Sequence, residues 1–120
     1  MEEARKLMPE IRRNLGDLNH LHERVSKADQ RFGQLHATGC DLGGTSVNEW
    51  LRDLLRMREL LYWFQKREIQ IKDLARGLID FPSIMAGREV FLCWEQHEDD
   101  IEFWHDLETG YPGRERLPEA

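Results

Sequence analysis

The chain predicts an α+β fold: a long antiparallel helical hairpin followed by a small antiparallel β-sheet of three to four strands. Three observations carry this. Apolar residues recur at spacings of three or four from Leu7 to Leu35, and again from Trp50 to Phe64. From Ile69 onward the apolar period changes to two. At 120 residues the chain fits one domain. Within it, residues 1–68 form the hairpin, 69–114 the sheet and 115–120 a tail.

The first helix spans about Glu2–Leu35. Leu7, Ile11, Leu15, Leu18, Leu21, Val25, Ala28, Phe32 and Leu35 line one stripe, with charged residues on the other faces. Pro9 removes a backbone donor and clashes with the preceding turn, so the helix is expected to kink there or to begin there. Residues 36–45, HATGCDLGGT, have three glycines and no period, and read as a loop. Ser46 and Glu49 then form a capping box, which starts a second helix over about Val47–Arg67. Its seam is Trp50, Leu54, Met57, Leu61 and Phe64, in the heptad register of a coiled coil.

Strands are expected at about Ile69–Lys72, Leu78–Phe81, Arg88–Glu95 and Ile101–Asp106. Pro82 must end its strand or lie on an edge. Asp73–Gly77 and Met85–Gly87 are turns. The run Val90–Trp94 is apolar on both faces and reads as a central strand covered on both sides. Glu98, Asp99 and Asp100 lack the spacing and glycine of a calcium loop and read as a solvated turn.

Composition excludes several classes. Charged residues are 33% of the chain and mean hydropathy is −0.68. No apolar run exceeds five residues, whereas a membrane-spanning helix needs about 20. The start, MEEARKLMPE, has acids where a signal peptide needs a basic residue and an apolar stretch. A cytoplasmic protein with no membrane contact is expected. Its two isolated cysteines, Cys40 and Cys93, should be reduced there. Residues 1–72 carry 13 Lys and Arg against 11 Asp and Glu. Residues 73–120 carry 4 against 12, a surplus that repels a phosphate backbone. No nucleic-acid partner is expected.

Several short segments resemble the signature of a bacterial family, domain of unknown function 2203. They are Gly77-Leu78-Ile79-Asp80-Phe81-Pro82, Gly87-Arg88-Glu89-Val90, Leu92-Cys93-Trp94, Trp104-His105 and Gly113-Arg114. Glu2-Glu3-Ala4, Leu7 and Pro9-Glu10 resemble its opening segment. The resemblance implies the family's fold. It brings no activity, because none is established for the family, and so no catalytic residues. The chain departs from the pattern after Cys93-Trp94: Glu95-Gln96-His97-Glu98-Asp99-Asp100 stands where members often have a Gly- and Pro-containing turn. His97 is therefore a poor candidate for a shared role.

The residues themselves nominate Asp80, Arg88, Cys93, Trp94, Trp104, His105 and Arg114 as a ligand-binding set. Cys93, Glu102 and His105 are zinc-ligand types. A period of two puts Glu102 and His105 on opposite faces, so no metal and no cofactor is expected. His105 can serve as a general base oriented by Asp80 or Asp106, or as a hydrogen-bonded structural residue. Asp80, Arg88 and Arg114 can bind a polar or anionic ligand, or Asp80 and Arg88 can pair internally. Trp94 and Trp104 read as core or as pocket wall. His20 and His22 are two apart on a helix and do not share a face.

The second helix also carries Leu51, Leu55, Leu60, Tyr62 and Trp63 off its seam. One partner helix cannot cover them all; the sheet or a second subunit covers the remainder, and a homodimer through the helices is expected. The leading functional expectation is a non-catalytic, self-associating scaffold. The alternative is a small-molecule-binding or hydrolytic domain around His105, Cys93, Asp80 and Arg88, favoured by a concave pocket joining them. The sequence names no ligand.

Overall fold

The computed structural model describes residues 2–37 and 45–118. Most of the expected glycine-rich loop, with Cys40 in it, lies outside the described residues, as do the side chains of Leu35 and Ser46. The elements are α1 (Glu2–Ala37), α2 (Thr45–Lys66), β1 (Gln70–Asp73), β2 (Leu78–Met85), β3 (Arg88–Trp94), β4 (Phe103–His105), a 3-10 turn at Tyr111–Gly113 and β5 (Glu115–Arg116). The sheet is antiparallel, in the order β1-β2-β3-β4-β5. The α+β class holds, with five strands instead of three to four. The added strand is β5, in what reads from sequence as tail. It pairs with β4 through Phe103↔Arg116 and Trp104↔Glu115, and two residues are too few to show a period.

These elements form two compact units. One joins the chain up to Leu15 with everything from Phe64 onward, and the other is Gly16–Trp63. Within the helical unit, Arg24 pairs with Asp53 at 2.9 Å. The Trp50 indole N–H donates to Asp29 at 2.9 Å, and its ring meets Phe32 edge-on at 5.6 Å. Positions rising along α1 thus meet positions falling along α2, which is the antiparallel hairpin.

α1 runs through Pro9 and does not begin there. The proline costs the Arg5 carbonyl its intrahelical bond, but both residues are exposed and water can replace the partner. α2 includes Thr45 and Ser46, so it begins before the expected Val47, and the expected capping box at Ser46 lies outside the described residues. The seam of α2 also differs. Leu61 is 46% exposed, while Leu60 is 3% exposed. Among the less exposed positions, Trp50, Asp53, Met57, Leu60, Phe64 and Arg67 keep a heptad spacing, in the phase that takes Leu60 and leaves Leu61 out.

α2 ends in a Schellman motif. The Ile69 N–H donates to the Phe64 carbonyl at 3.0 Å, and the Glu68 N–H to that of Gln65 at 3.0 Å. Glu68 takes the left-handed conformation, with φ 59°. Phe64 and Ile69, at the two ends of the outer bond, are both buried. This turn delivers the chain into β1.

β2 continues past Pro82, the expected strand end. β1 is in register with β2 only up to Asp80. Beyond it β2 has β3 alone as neighbour, with Pro82 opposite Phe91. The missing donor falls where one side of the strand is unpaired. The β2–β3 hairpin turns on Ala86 and Gly87, both at positive φ, the two-residue geometry that matches strand twist.

Register fixes the faces, since directly opposite residues share one. Ile79↔Trp94, Phe81↔Leu92 and Ser83↔Val90 put Ile79, Phe81, Val90, Leu92 and Trp94 on one face, all but Ser83 buried. With Ala4, Met8, Ile11 and Leu15 from the first turns of α1 they make the core of this unit. Arg12 lies 4.9 Å from the Trp94 ring centroid and donates to the carbonyls of Glu98 and Asp99 at 3.0 and 2.9 Å. The opposite face carries Asp80↔Cys93↔Phe103 and Pro82↔Phe91↔His105. β3 is central, as its apolar run predicts, but of its residues on this second face only Cys93 is buried and Phe91 is half-buried beside a cleft.

Candidate functional site

Asp80, Cys93 and His105 come from three neighbouring strands and point to one side of the sheet. Asp80 and Cys93 are direct cross-strand partners. His105 stands opposite Phe91, two residues from Cys93 on the same face of β3. All three are buried, at 3%, 0% and 3% exposure. One ligand-type atom from each lies within 4.8 Å of the other two.

The imidazole of His105 is held at both nitrogens. Nδ1 is 2.7 Å from the Asp106 carbonyl, and Nε2 is 3.0 Å from Oδ2 of Asp80. A carbonyl can only accept, so Nδ1 carries a proton and donates it. Nε2 is then the atom that works toward Asp80. Asp106 is fixed in turn, because its Oδ1 accepts from the N–H groups of Glu108 and Thr109 at 2.9 and 2.8 Å. Those two bonds hold the Asp106 carboxyl below the usual carboxylate range. Of the two orienting groups expected for His105, Asp80 supplies its carboxylate and Asp106 its backbone.

Arg114 closes the Cys93 side. Its Nη1 donates to Oε1 of Glu98 at 3.1 Å and lies 3.9 Å from Sγ of Cys93. Its guanidinium stacks between Phe103, at 3.9 Å, and Tyr111, at 4.4 Å. Glu98 also accepts from the Glu95 N–H at 2.8 Å, and its side chain is buried, not the solvated turn residue its neighbours suggest. Burial and the Asp80 charge push the Cys93 thiol up to about 11. A second buried carboxylate, Glu95, receives Arg76 at 2.7 Å and the Tyr111 hydroxyl at 3.1 Å. Burial alone would raise its carboxyl, but these hydrogen bonds prevail and lower it.

A cavity of about 380 Å³ opens beside Asp80 and His105, and Cys93, Arg88 and Arg114 are not in its lining. Asp80 and His105 line it, with Leu78, Phe91, Leu107 and Tyr111 as apolar wall and Lys72 and Glu108 as charged lining. A larger cleft of about 570 Å³ shares Phe91 and Leu107 but includes neither Asp80 nor His105. Of the two, the smaller has the chemistry.

Four of the seven nominated residues therefore come together: Asp80, Cys93, His105 and Arg114. Three do not. Arg88 is exposed opposite Met85, five residues along β3 from Cys93, so the expected Asp80–Arg88 pair gives way to Asp80–His105. Trp94 is in the core on the other face, its indole N–H donating to the Glu98 carbonyl at 3.1 Å. Trp104 shares that face, opposite Leu92. Glu102 is exposed, and its place beside Cys93 and His105 is taken by Asp80. Glu98 and Tyr111 were not nominated. The aromatic–arginine run Tyr111–Arg114 is their one sequence signal.

The assembled residues lie in the separated segments Gly77–Pro82, Leu92–Trp94, Trp104–His105 and Gly113–Arg114, which carry the family resemblance. The chain belongs to the DUF2203 family of uncharacterized conserved proteins. The family's sequence profile matches residues 1–117. Neither a curated protein nor a solved structure matches the chain. Membership in DUF2203 assigns no reaction, so function is argued from the site. Among the described residues no helix is long and apolar enough to cross a membrane.

Proposed function

We propose that the protein is a small-molecule-binding domain whose ligand enters the cavity over β2, β3 and β4 and sets its polar end against Asp80 and His105. One observation carries the reading: a buried carboxylate and imidazole, bonded to each other, both line a cavity of about 380 Å³. That size is within the range of small-ligand sites, which combine apolar walls with a few convergent polar groups. Lys72 and Glu108 add opposite charges to the lining. The reading puts the protein in the cytoplasm, where Cys93 stays a thiol.

The test uses a panel of small carboxylic acids and amines, titrated into chelator-treated protein and followed by backbone amide shifts. Shifts should concentrate at Leu78, Asp80, Phe91, His105 and Tyr111. Leu107→Trp should abolish them by filling the cavity; Leu107 is 54% exposed, so the change should spare the fold. Shifts that persist in Leu107→Trp, or no shifts at these residues with any probe, sink the reading.

A second reading concerns α2. Leu51, Leu55 and Tyr62 fall within about 40° of one another around the helix and are 46%, 58% and 62% exposed. We infer that a second copy of the chain covers them, since a two-fold axis lets one patch cover itself. Leu55→Glu with Tyr62→Glu should then give monomers by light scattering. A wild-type protein that is monomeric at high concentration removes this reading.

A further inference from the structure

Among the described residues, Asp80, Cys93 and His105 are the three potential metal-ligating side chains that converge. They are carboxylate oxygen, thiolate sulfur and imidazole nitrogen, a donor set suited to zinc and similar borderline-soft divalent ions. We propose that these three residues bind one divalent transition-metal ion, zinc by preference, with its fourth position open to the cavity.

Geometry supports this in three ways. In a tetrahedral zinc site the ligand atoms stand about 3.3–3.8 Å apart. Nε2 and Oδ2 are already 3.0 Å apart and no edge of the triangle exceeds 4.8 Å. Side-chain rotations of about an ångström would complete the site with the sheet unmoved. Second, the His105 N–H donates to a backbone carbonyl. This outer contact is the one metal-bound imidazoles make, and it fixes the tautomer that offers Nε2 to an ion. Third, charge balances. The ion displaces the thiol proton and the proton shared between Nε2 and Oδ2. Two positive charges then meet the Asp80 carboxylate and the Cys93 thiolate. Arg114 beside the sulfur is already neutralised by Glu98, so it does not oppose the cation.

Asp80 and His105 both line the cavity, so the fourth ligand is a water or the polar end of a bound molecule. Three protein ligands with one open position is the arrangement of catalytic zinc sites, whereas structural sites are closed by four. Only this open position rests on the small-molecule reading; the three protein ligands do not.

The experiment titrates cobalt(II), then zinc, into protein stripped with chelator, with no organic ligand present. Cobalt should give a thiolate charge-transfer band in the near ultraviolet, saturating at one ion per chain. Zinc should displace it. Cys93→Ser should lose the band and bind zinc at least about a hundredfold more weakly, beyond the effect of losing an outer-shell partner. Asp80→Asn should weaken binding while keeping the band. Glu102→Gln should change nothing. If Cys93→Ser does not fold, X-ray absorption of the zinc-loaded wild type gives the same answer through one sulfur in the first coordination shell. No band in the wild type, an undiminished band in Cys93→Ser, or a zinc shell without sulfur overturns the proposal. Such a failure leaves the small-molecule reading standing, because that reading is tested on chelated protein.

Discussion

Asp80→Ala should destabilise the sheet unit by about 1–3 kcal/mol, the usual cost of leaving a buried hydrogen-bonding group without its partner. The side chains of Asp80 and His105 are 4% and 3% exposed. Without the carboxylate, Nε2 of His105 loses the acceptor it has at 3.0 Å. A buried polar group stripped of its partner bears its full desolvation cost. Against a typical total of about 5–15 kcal/mol, the loss is large. The urea midpoint should fall with an unchanged slope.

The companion experiment separates fold from function. Asp80→Leu combined with His105→Phe replaces the pair by apolar groups of similar volume. Buried pairs replaced in this way often lose little stability. The double variant should recover most of what Asp80→Ala loses, and should bind neither metal nor the small carboxylic acids. If it is as unstable as the two single variants added together, the pair has no coupling and the stability argument is wrong. A single substitution costing under about 1 kcal/mol would mean that water reaches Nε2.

Much of this architecture is legible in the chain because its signals are periodic. The α1 stripe from Ile11 to Val25 and the strands beginning at Leu78 and Arg88 stand where period and turn chemistry put them. The misses have local causes. Leu60 replaces Leu61 on the inner face of α2 because adjacent leucines satisfy either heptad phase, and burial takes the one through Asp53, Leu60 and Arg67. β5 is too short to have a pattern. The site was half legible. His105, Cys93, Asp80 and Arg114 could be nominated from residue type and motif. Their assembly could not, because it depends on register. Period two within one strand correctly removes Glu102 from the side of His105, but says nothing about Asp80, 25 residues earlier. A one-residue slip between β2 and β3 would send Asp80 to the other face. Spacing along the chain says little about a sheet, where side chains from three strands can converge, as Asp80, Cys93 and His105 do.

Arg114→Ala should release the chain from Gly110 to Leu117 while β2 and β3 stay folded. The guanidinium ties the 3-10 turn to β4 and to the turn at Glu98. It lies between the rings of Phe103 and Tyr111, donates to Glu98 and covers the sulfur of Cys93. Stacking of this kind contributes roughly 0.5–2 kcal/mol per ring when desolvated. Removing Arg114 also leaves the Glu98 carboxylate, only 7% exposed, with the Glu95 N–H as its remaining hydrogen bond. The total should reach about 3 kcal/mol, more than two register pairs of β5 can hold alone. The readout is hydrogen exchange. The Leu117 N–H, which donates to the Glu102 carbonyl at 2.7 Å, should lose protection, while the amides between β2 and β3 keep theirs. In a Cys40→Ser background, Cys93 should also react faster with a thiol reagent once its cover is gone. Arg114→Lys should be intermediate, since it keeps the charge but loses the planar stack. Unchanged protection at Leu117 in Arg114→Ala would show that strand pairing and the Tyr111–Glu95 bond hold this segment without it, and that the guanidinium clamp is not what closes the Cys93 side of the site.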